Sequence, residues 1–355
     1  MTKPRKRRSQ KAGLAPGALV HIGEVAASKP VMVLTSFGPQ GLIERELDSL
    51  AGFDEVRKEF PVHWLNVYGL HDPELLASIG HYFSLHPLVV EDILNTDQRP
   101  KVDVYADYLF VVGRLLDPRR PPHVAGTDQI SLILARGFVL SFQERRSGTF
   151  DPLRQRLRSN NCPLRTQGID HLAYSLLDAM VDAYFSVVEQ MGDRCDALES
   201  EILGRPKRDV LAEAHRVRQD ISTLRRSIWP MREVIGTLQR SQTAFFGDET
   251  RPYLHDIHDH TVHMLEQLED SRELLTGLLD IYQNRISNRV NLEVRTLTLL
   301  TTVFMPAALI AGIFGMNFQV MPWVDAPDGF VSALLLMGFV GLALFLVFWS
   351  RKLFR

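Results

Sequence analysis

The chain has 355 residues, 23% of them charged, and a formal net charge of -2. This length admits about two domains and a core of ordinary size. Its two cysteines, Cys162 and Cys195, exclude a disulfide framework and a CxxC metal site, and suit a main domain kept in the reduced cytosol.

The N-terminus, MTKPRKRRSQK, reads as a basic, solvated arm over residues 1–13. No hydrophobic region follows it, so it is not a signal peptide, and no nucleic-acid partner is expected. Residues 14–168 mix strand and helix signals. Val31–Thr35 (VMVLT), Val62–Tyr68 (VHWLNVY) and Asp107–Leu116 (DYLFVVGRLL) are β-branched or aromatic runs of strand length. Gln129–Glu144 reads as two apolar strands joined by a tight hairpin at Arg136-Gly137. Between them, Glu74–Leu94 (ELLASIGHYFSLHPLVVEDIL) has helical spacing, so the region is an α/β/α layered domain within an α+β chain.

From Ile169 the pattern is helical. His171–Leu203 carries an apolar stripe without proline and stops at Gly204-Arg205-Pro206; a second long helix runs back from Asp209, with a kink at Trp229-Pro230. These antiparallel helices fill residues 169–250. Between Pro252 and Pro306 there is no proline and only Gly277, so residues 251–314 read as one stalk helix that continues into a membrane span. Its length is on the order of 90 Å, and a helix that long needs partners along it.

No charged residue occurs from Thr296 to Val324, nor from Gly329 to Ser350. Each window supplies the roughly 20 apolar residues that a bilayer core requires. The expected order is a first span ending near residue 314, a loop over 315–329, a second span over 330–350 and a basic tail over 351–355. Arg285, Arg289 and Arg295 precede the first span, and Arg351, Lys352 and Arg355 follow the second. The loop has no Lys or Arg and carries Asp325 and Asp328, so both termini are expected in the cytoplasm.

Counting sevens along the first span gives Asn291, Thr298, Met305 and Gly312, with Val294, Thr301 and Ala308 three residues on. This seam is small, polar or flexible, while Leu297, Leu300, Phe304, Leu309 and Ile313 are large and apolar. Two readings are open: small residues that let helices pack closely, or the wall of a narrow, wet axis. At its outer end stands Asn317, which either caps the helix or, in a symmetric oligomer, joins its copies in a ring of amide carbonyls that binds cations by dipole.

Gly315, Met316 and Asn317 at the end of the first of two C-terminal spans resemble the signature of the CorA magnesium channels. The likeness extends through His86–Asp103, Tyr174–Phe185, Ile228–Val234, His258–Val262 and Val303–Phe318, nearly the whole chain apart from the arm and the segment before the second strand. The resemblance implies a homopentamer in the plasma membrane, with first spans lining a pore and second spans facing lipid. It implies passive Mg²⁺ uptake, Co²⁺ and Ni²⁺ as secondary ions, and Gly315-Met316-Asn317 as the filter for a hydrated ion. Relatives carry Glu after the motif and in the loop, where this chain has Gln319 and Trp323; Asp325 and Asp328 are the candidates to replace that charge. Val294 and Ala308 stand where some relatives use Met and Thr.

His255–His263 (HDIHDHTVH) puts Asp256 with His260, and Asp259 with His263, on shared helix faces. Such a run is either a solvated face or a metal site. By resemblance, Asp92 and Asp256 match carboxylates that meet across subunits to hold a regulatory Mg²⁺, and Glu91, Asp178 and His260 match a neighbouring site. The His-rich helix keeps a zinc or other transition-metal transporter as the alternative. Neither a P-loop nor an HExxH or GxSxG motif occurs, so no enzyme is expected.

Overall fold

The computed structural model describes residues 17–22, 29–116, 127–159, 162–204, 209–240, 245–316 and 327–351. The basic arm, Arg205 and Pro206, and Asn317, Gln319, Trp323, Asp325, Lys352 and Arg355 lie outside them. The chain divides into two units, Met1–Thr276 and Gly277–Arg355.

The first unit is built on a seven-stranded sheet among the described residues. Its strands are β1 (Val31–Gly38), β2 (Gly41–Leu47), β3 (Val62–Tyr68), β4 (Lys101–Val104), β5 (Tyr108–Leu116), β6 (Thr127–Ala135) and β7 (Phe138–Gln143), ordered β2-β1-β3-β7-β6-β5-β4. β3 and β7 pair in parallel and the other neighbours antiparallel. Register aligns Leu34, Leu65, Leu140, Ile133 and Phe110 in one row across five strands. The same core takes in Phe53 of α1 (Ala51–Val56), Ile79 of α2 (Pro73–Tyr82) and Val89 of α3 (Pro87–Leu94). Each fully buried side chain of this size contributes about 1.5–3 kcal/mol.

On the other face the sheet meets α5 (Ile169–Leu203) and α6 (Val210–Arg240). A Cβ at Gly113 would collide with Met180 of α5 and crowd Met231 of α6, so glycine lets both helices close on β5. Pro230 lies inside α6 and is buried. The expected hairpin is present, with Gly137 at φ +86° between β6 and β7. The helical stretch Glu74–Leu94 divides in two, because Ser84 adopts a left-handed φ of 52° and Pro87 opens α3. A further short helix, α4 (Asp151–Arg158), follows β7.

One helix, α7, runs from Arg251 to Phe314 with Pro306 inside it, and α8 spans Gly329–Ser350. The second unit holds the latter part of α7 and all of α8. Most of its apolar side chains point outward, with Phe330 78% and Phe339 71% exposed, while Leu278, Leu299 and Ala333 are buried. Both helices are long and apolar enough to cross a bilayer by length and composition.

Candidate functional site

The sequence-expected metal residues fall into two places in the first unit. Pro87 and the His86 cap start α3: the His86 ring accepts the Leu88 amide at 3.2 Å, while the His86 amide donates to the Tyr108 hydroxyl at 2.9 Å. That geometry carries Glu91 and Asp92 to the end of the helix. The Asp92 side chain is 18% exposed, has Lys101 Nζ at 2.8 Å and accepts from the Gln98 amide. Burial draws the Lys101 pKa down, but Asp103 and Asp92 outweigh it and the net shift is upward. Asp92 is thus already paired within its own chain. Glu91 accepts the Gly17 amide at 2.7 Å.

The other place lies between α5 and α7. Burial pushes Asp178 up to about 6; Asp182, one turn on, adds to the rise, His260 and Arg156 oppose it, and Asp256 adds again. Asp182 is raised as well, by burial against His260, with Asp256 contributing. Burial, then the charges of Asp178, Asp256 and Asp182, lift Tyr174 to about 12. His260 sits edge-on to Phe185 with ring centroids 5.3 Å apart, its Nε2 lies 3.8 Å from Asp256, and its buried Nδ1 makes no hydrogen bond among the described residues. Asp256 remains 61% exposed. Asp259, which shares a face of α7 with His263, lies 3.6 Å from His255 and 3.7 Å from His258.

The structure therefore brings Asp178, Asp256 and His260 into one electrostatic cluster and leaves Glu91 and Asp92 of the same chain out of it. Sequence reasoning missed Asp182, although its four-residue spacing from Asp178 on a helix was the available signal. It also missed Lys101. Among the described residues no group of three or more His, Cys, Asp or Glu is arranged to hold a metal ion. What the cluster does have is excess negative charge in a partly desolvated place, which favours a proton or an added cation.

In the second unit the seam residues Asn291, Val294, Thr298, Thr301, Met305, Ala308 and Gly312 are all exposed. Thr298 donates its hydroxyl proton to the Val294 carbonyl at 2.8 Å, and Thr301 to that of Leu297 at 2.9 Å. Both hydroxyl oxygens keep lone pairs free to accept. A Cβ on Gly312 would meet nothing within 4 Å among the described residues, so nothing among them requires glycine there. The helix closes at Gly315 and Met316, whose amides donate to Ala311 and Ile313 at 3.0 and 3.2 Å. Asn317 lies just outside the described residues.

An α/β domain, a 64-residue helix whose apolar end carries a small, polar seam, and a second apolar helix after it fit a membrane protein with two candidate spans. The comparisons give the family. The profile of the CorA-like Mg²⁺ transporter proteins matches residues 61–352, and the chain belongs to that family, whose members are transporters and not enzymes. It is 37% identical to the "Cobalt/magnesium transport protein CorA" of Thermotoga maritima, over 98% of this chain and 99% of that one. It is also 23% identical to a "Zinc transport protein ZntB" of Pectobacterium carotovorum, over 82% of this chain and 89% of that one. The structure of the CorA magnesium transporter from Methanocaldococcus jannaschii superposes with a TM-score of 0.76, covering 90% of this chain and 97% of that one. At 20% identity this shows a shared fold. Divalent cation transport is the function these findings establish.

Proposed function

We propose that the chain assembles as a homopentamer in the plasma membrane, both termini cytoplasmic, and admits Mg²⁺ passively along a shared axis, with Co²⁺ and Ni²⁺ as secondary ions. The observation that carries this reading is the seam of α7: exposed, uncharged, and supplied with acceptor oxygens by Thr298 and Thr301. Mg²⁺ gives up its water reluctantly, and its bound waters present hydrogens outward. A wall of hydroxyl and amide oxygens accepts from those waters without a fixed charge to trap the ion. Asn317 would complete the filter with Gly315 and Met316 at the outer mouth. The membrane potential supplies the drive, about 2.3 kcal/mol per charge per 100 mV and roughly twice that for a divalent ion. The outward-facing aliphatic side chains of α8 suit lipid.

Internal Mg²⁺ is the proposed closing signal. Asp92 would meet Asp256 of a neighbouring copy, and Glu91, Asp178 and His260 would form a second, weaker site. The surplus charge around Asp178 and the exposure of Asp256 support this, since bound cations would relieve repulsion that otherwise loosens the ring. Lys101, which holds Asp92 in the single chain, would be displaced when the ion arrives.

Mg²⁺ flux into liposomes tests both parts. Asn317→Ala should lose selective Mg²⁺ uptake while still assembling; flux at the wild-type level would remove the filter. Asp92→Ala with Asp256→Ala should conduct but resist inhibition by internal Mg²⁺. The similarity to a zinc transport protein favours zinc as the second reading. Competition between Mg²⁺, Co²⁺ and Zn²⁺ in the same liposomes decides between them.

A further inference from the structure

A cleft of about 580 Å³ in the first unit takes no part in the ion reading above. Its size is that of a small-molecule site. Arg45, Arg146, Arg154 and Arg158 line it, opposed by Glu44, Glu46 and Asp151.

Arg154 forms the floor. Its side chain is 8% exposed, and its guanidinium lies over the Trp64 ring at 4.5 Å and reaches Tyr68 at 6.0 Å. Glu44 and Asp151 approach at 3.5 and 3.6 Å. Even so, the buried Nε and Nη2 of Arg154 make no hydrogen bond among the described residues. A buried guanidinium whose Nε meets a carboxylate only at 3.5 Å and whose Nη2 makes no hydrogen bond among the described residues is an unfavourable arrangement that an incoming anion would relieve.

Above it, Arg146 stacks over Tyr68 at 4.9 Å and Arg158 sits at the rim. Both are more than half exposed, and their partners Glu46 and Glu44 belong to β2, the strand at the edge of the sheet. The Arg146–Glu46 pair is exposed on both sides and of the weak kind that exchanges readily, whereas Glu44 is 20% exposed and accepts from Arg158 Nε and Nη2 at 2.9 and 2.6 Å, the firmer pair of the two. Planar guanidinium groups match the oxygen spacing of phosphate, and releasing two carboxylates calls for a multiply charged competitor.

We propose that this cleft binds a phosphate-bearing small anion of up to nucleotide size, with Arg154 donating from the floor and Arg146 and Arg158 exchanging their glutamates for the phosphate. Full-length protein in detergent, free of divalent cations, is titrated calorimetrically with inorganic phosphate, pyrophosphate and ATP, with sodium chloride at matched ionic strength as the control. Binding of pyrophosphate and ATP alike would place recognition in the phosphates; binding of ATP alone would make the ligand a nucleotide. Arg146→Ala with Arg158→Ala, both at the surface, should weaken binding by about tenfold or more. Arg154→Met keeps an apolar stem over Trp64 and should abolish it. Should Arg154→Met fail to fold, the double variant decides alone. No heat beyond the chloride control in the wild type, or equal affinity in the variants, overturns the proposal.

Discussion

Phe110 in the first unit is fully buried, while Phe330 in the second is 78% exposed. The contrast holds generally: strand and helix side chains of the first unit close on one another, whereas α8 buries only Gly329 and Ala333. The first unit therefore has its own core. The second carries apolar surface that water does not tolerate, so its stability rests on what lies outside the chain. Within that outward-facing unit the seam of α7 differs again, being small and polar where its flanks are large and apolar. Under the proposed assembly the flanks meet lipid or neighbouring helices and the seam meets the axis.

The largest expected effect comes from filling the seam. Gly312→Phe places a ring where the described residues of the single chain leave open space, so the fold would accept it, while in a ring of copies the added side chains would plug the axis. Mg²⁺ uptake into liposomes should fall to background while the protein keeps its size on a column. Undiminished uptake would mean that Gly312 faces lipid, and the distinction between seam and flank would collapse.

Next in size is the core. Phe110→Ala empties the row that crosses five strands and should cost about 3–5 kcal/mol in denaturant unfolding of the first unit. The helical signal of the spans in detergent should survive the same denaturant. If both signals are lost at one midpoint, the two units do not draw on separate sources of stability.

Much of this division was legible in the sequence. The uncharged windows that read as spans coincide with the apolar parts of α7 and α8, and the apolar runs recovered β1, β3, β5, β6 and β7. β2 escaped because Glu44, Arg45 and Glu46 break the apolar pattern; they are tolerable on an edge strand, where charge also discourages pairing with another chain. β4 escaped because four residues give too short a period to detect. At the candidate site the helical spacing placed Asp256 beside His260 correctly. The pairing of Asp92 with Lys101 depends on a turn back onto β4, and no local pattern announces it. Nor does spacing reveal Arg154 lying over Trp64, since those side chains come from segments far apart in the chain.

The smallest effect separates two carboxylates of α5. Burial pushes Asp170 up, but hydrogen bonds from Thr250 and the Gly247 amide outweigh it and the net shift is downward. Asp178, two turns on, is raised from 3.8 to about 6, first by burial and then by Asp182. Asp170 thus stabilises the fold above its unfolded value and loses that contribution only in acid, as pH falls through its lowered pKa. Asp178 acts in the opposite sense: its contribution is full below the unfolded value of 3.8 and is lost as pH rises through about 6. In the absence of divalent cations, raising the pH across that interval should cost the wild type on the order of 1–3 kcal/mol. Asp178→Asn holds the neutral form at every pH, so it should melt higher than the wild type at neutral pH and converge with it in acid, Asp182 leaving a residual slope. Melting curves that run parallel across the interval would show that Asp178 is an ordinary solvated carboxylate. The cluster between α5 and α7 would then lack the surplus charge that makes a cation welcome there.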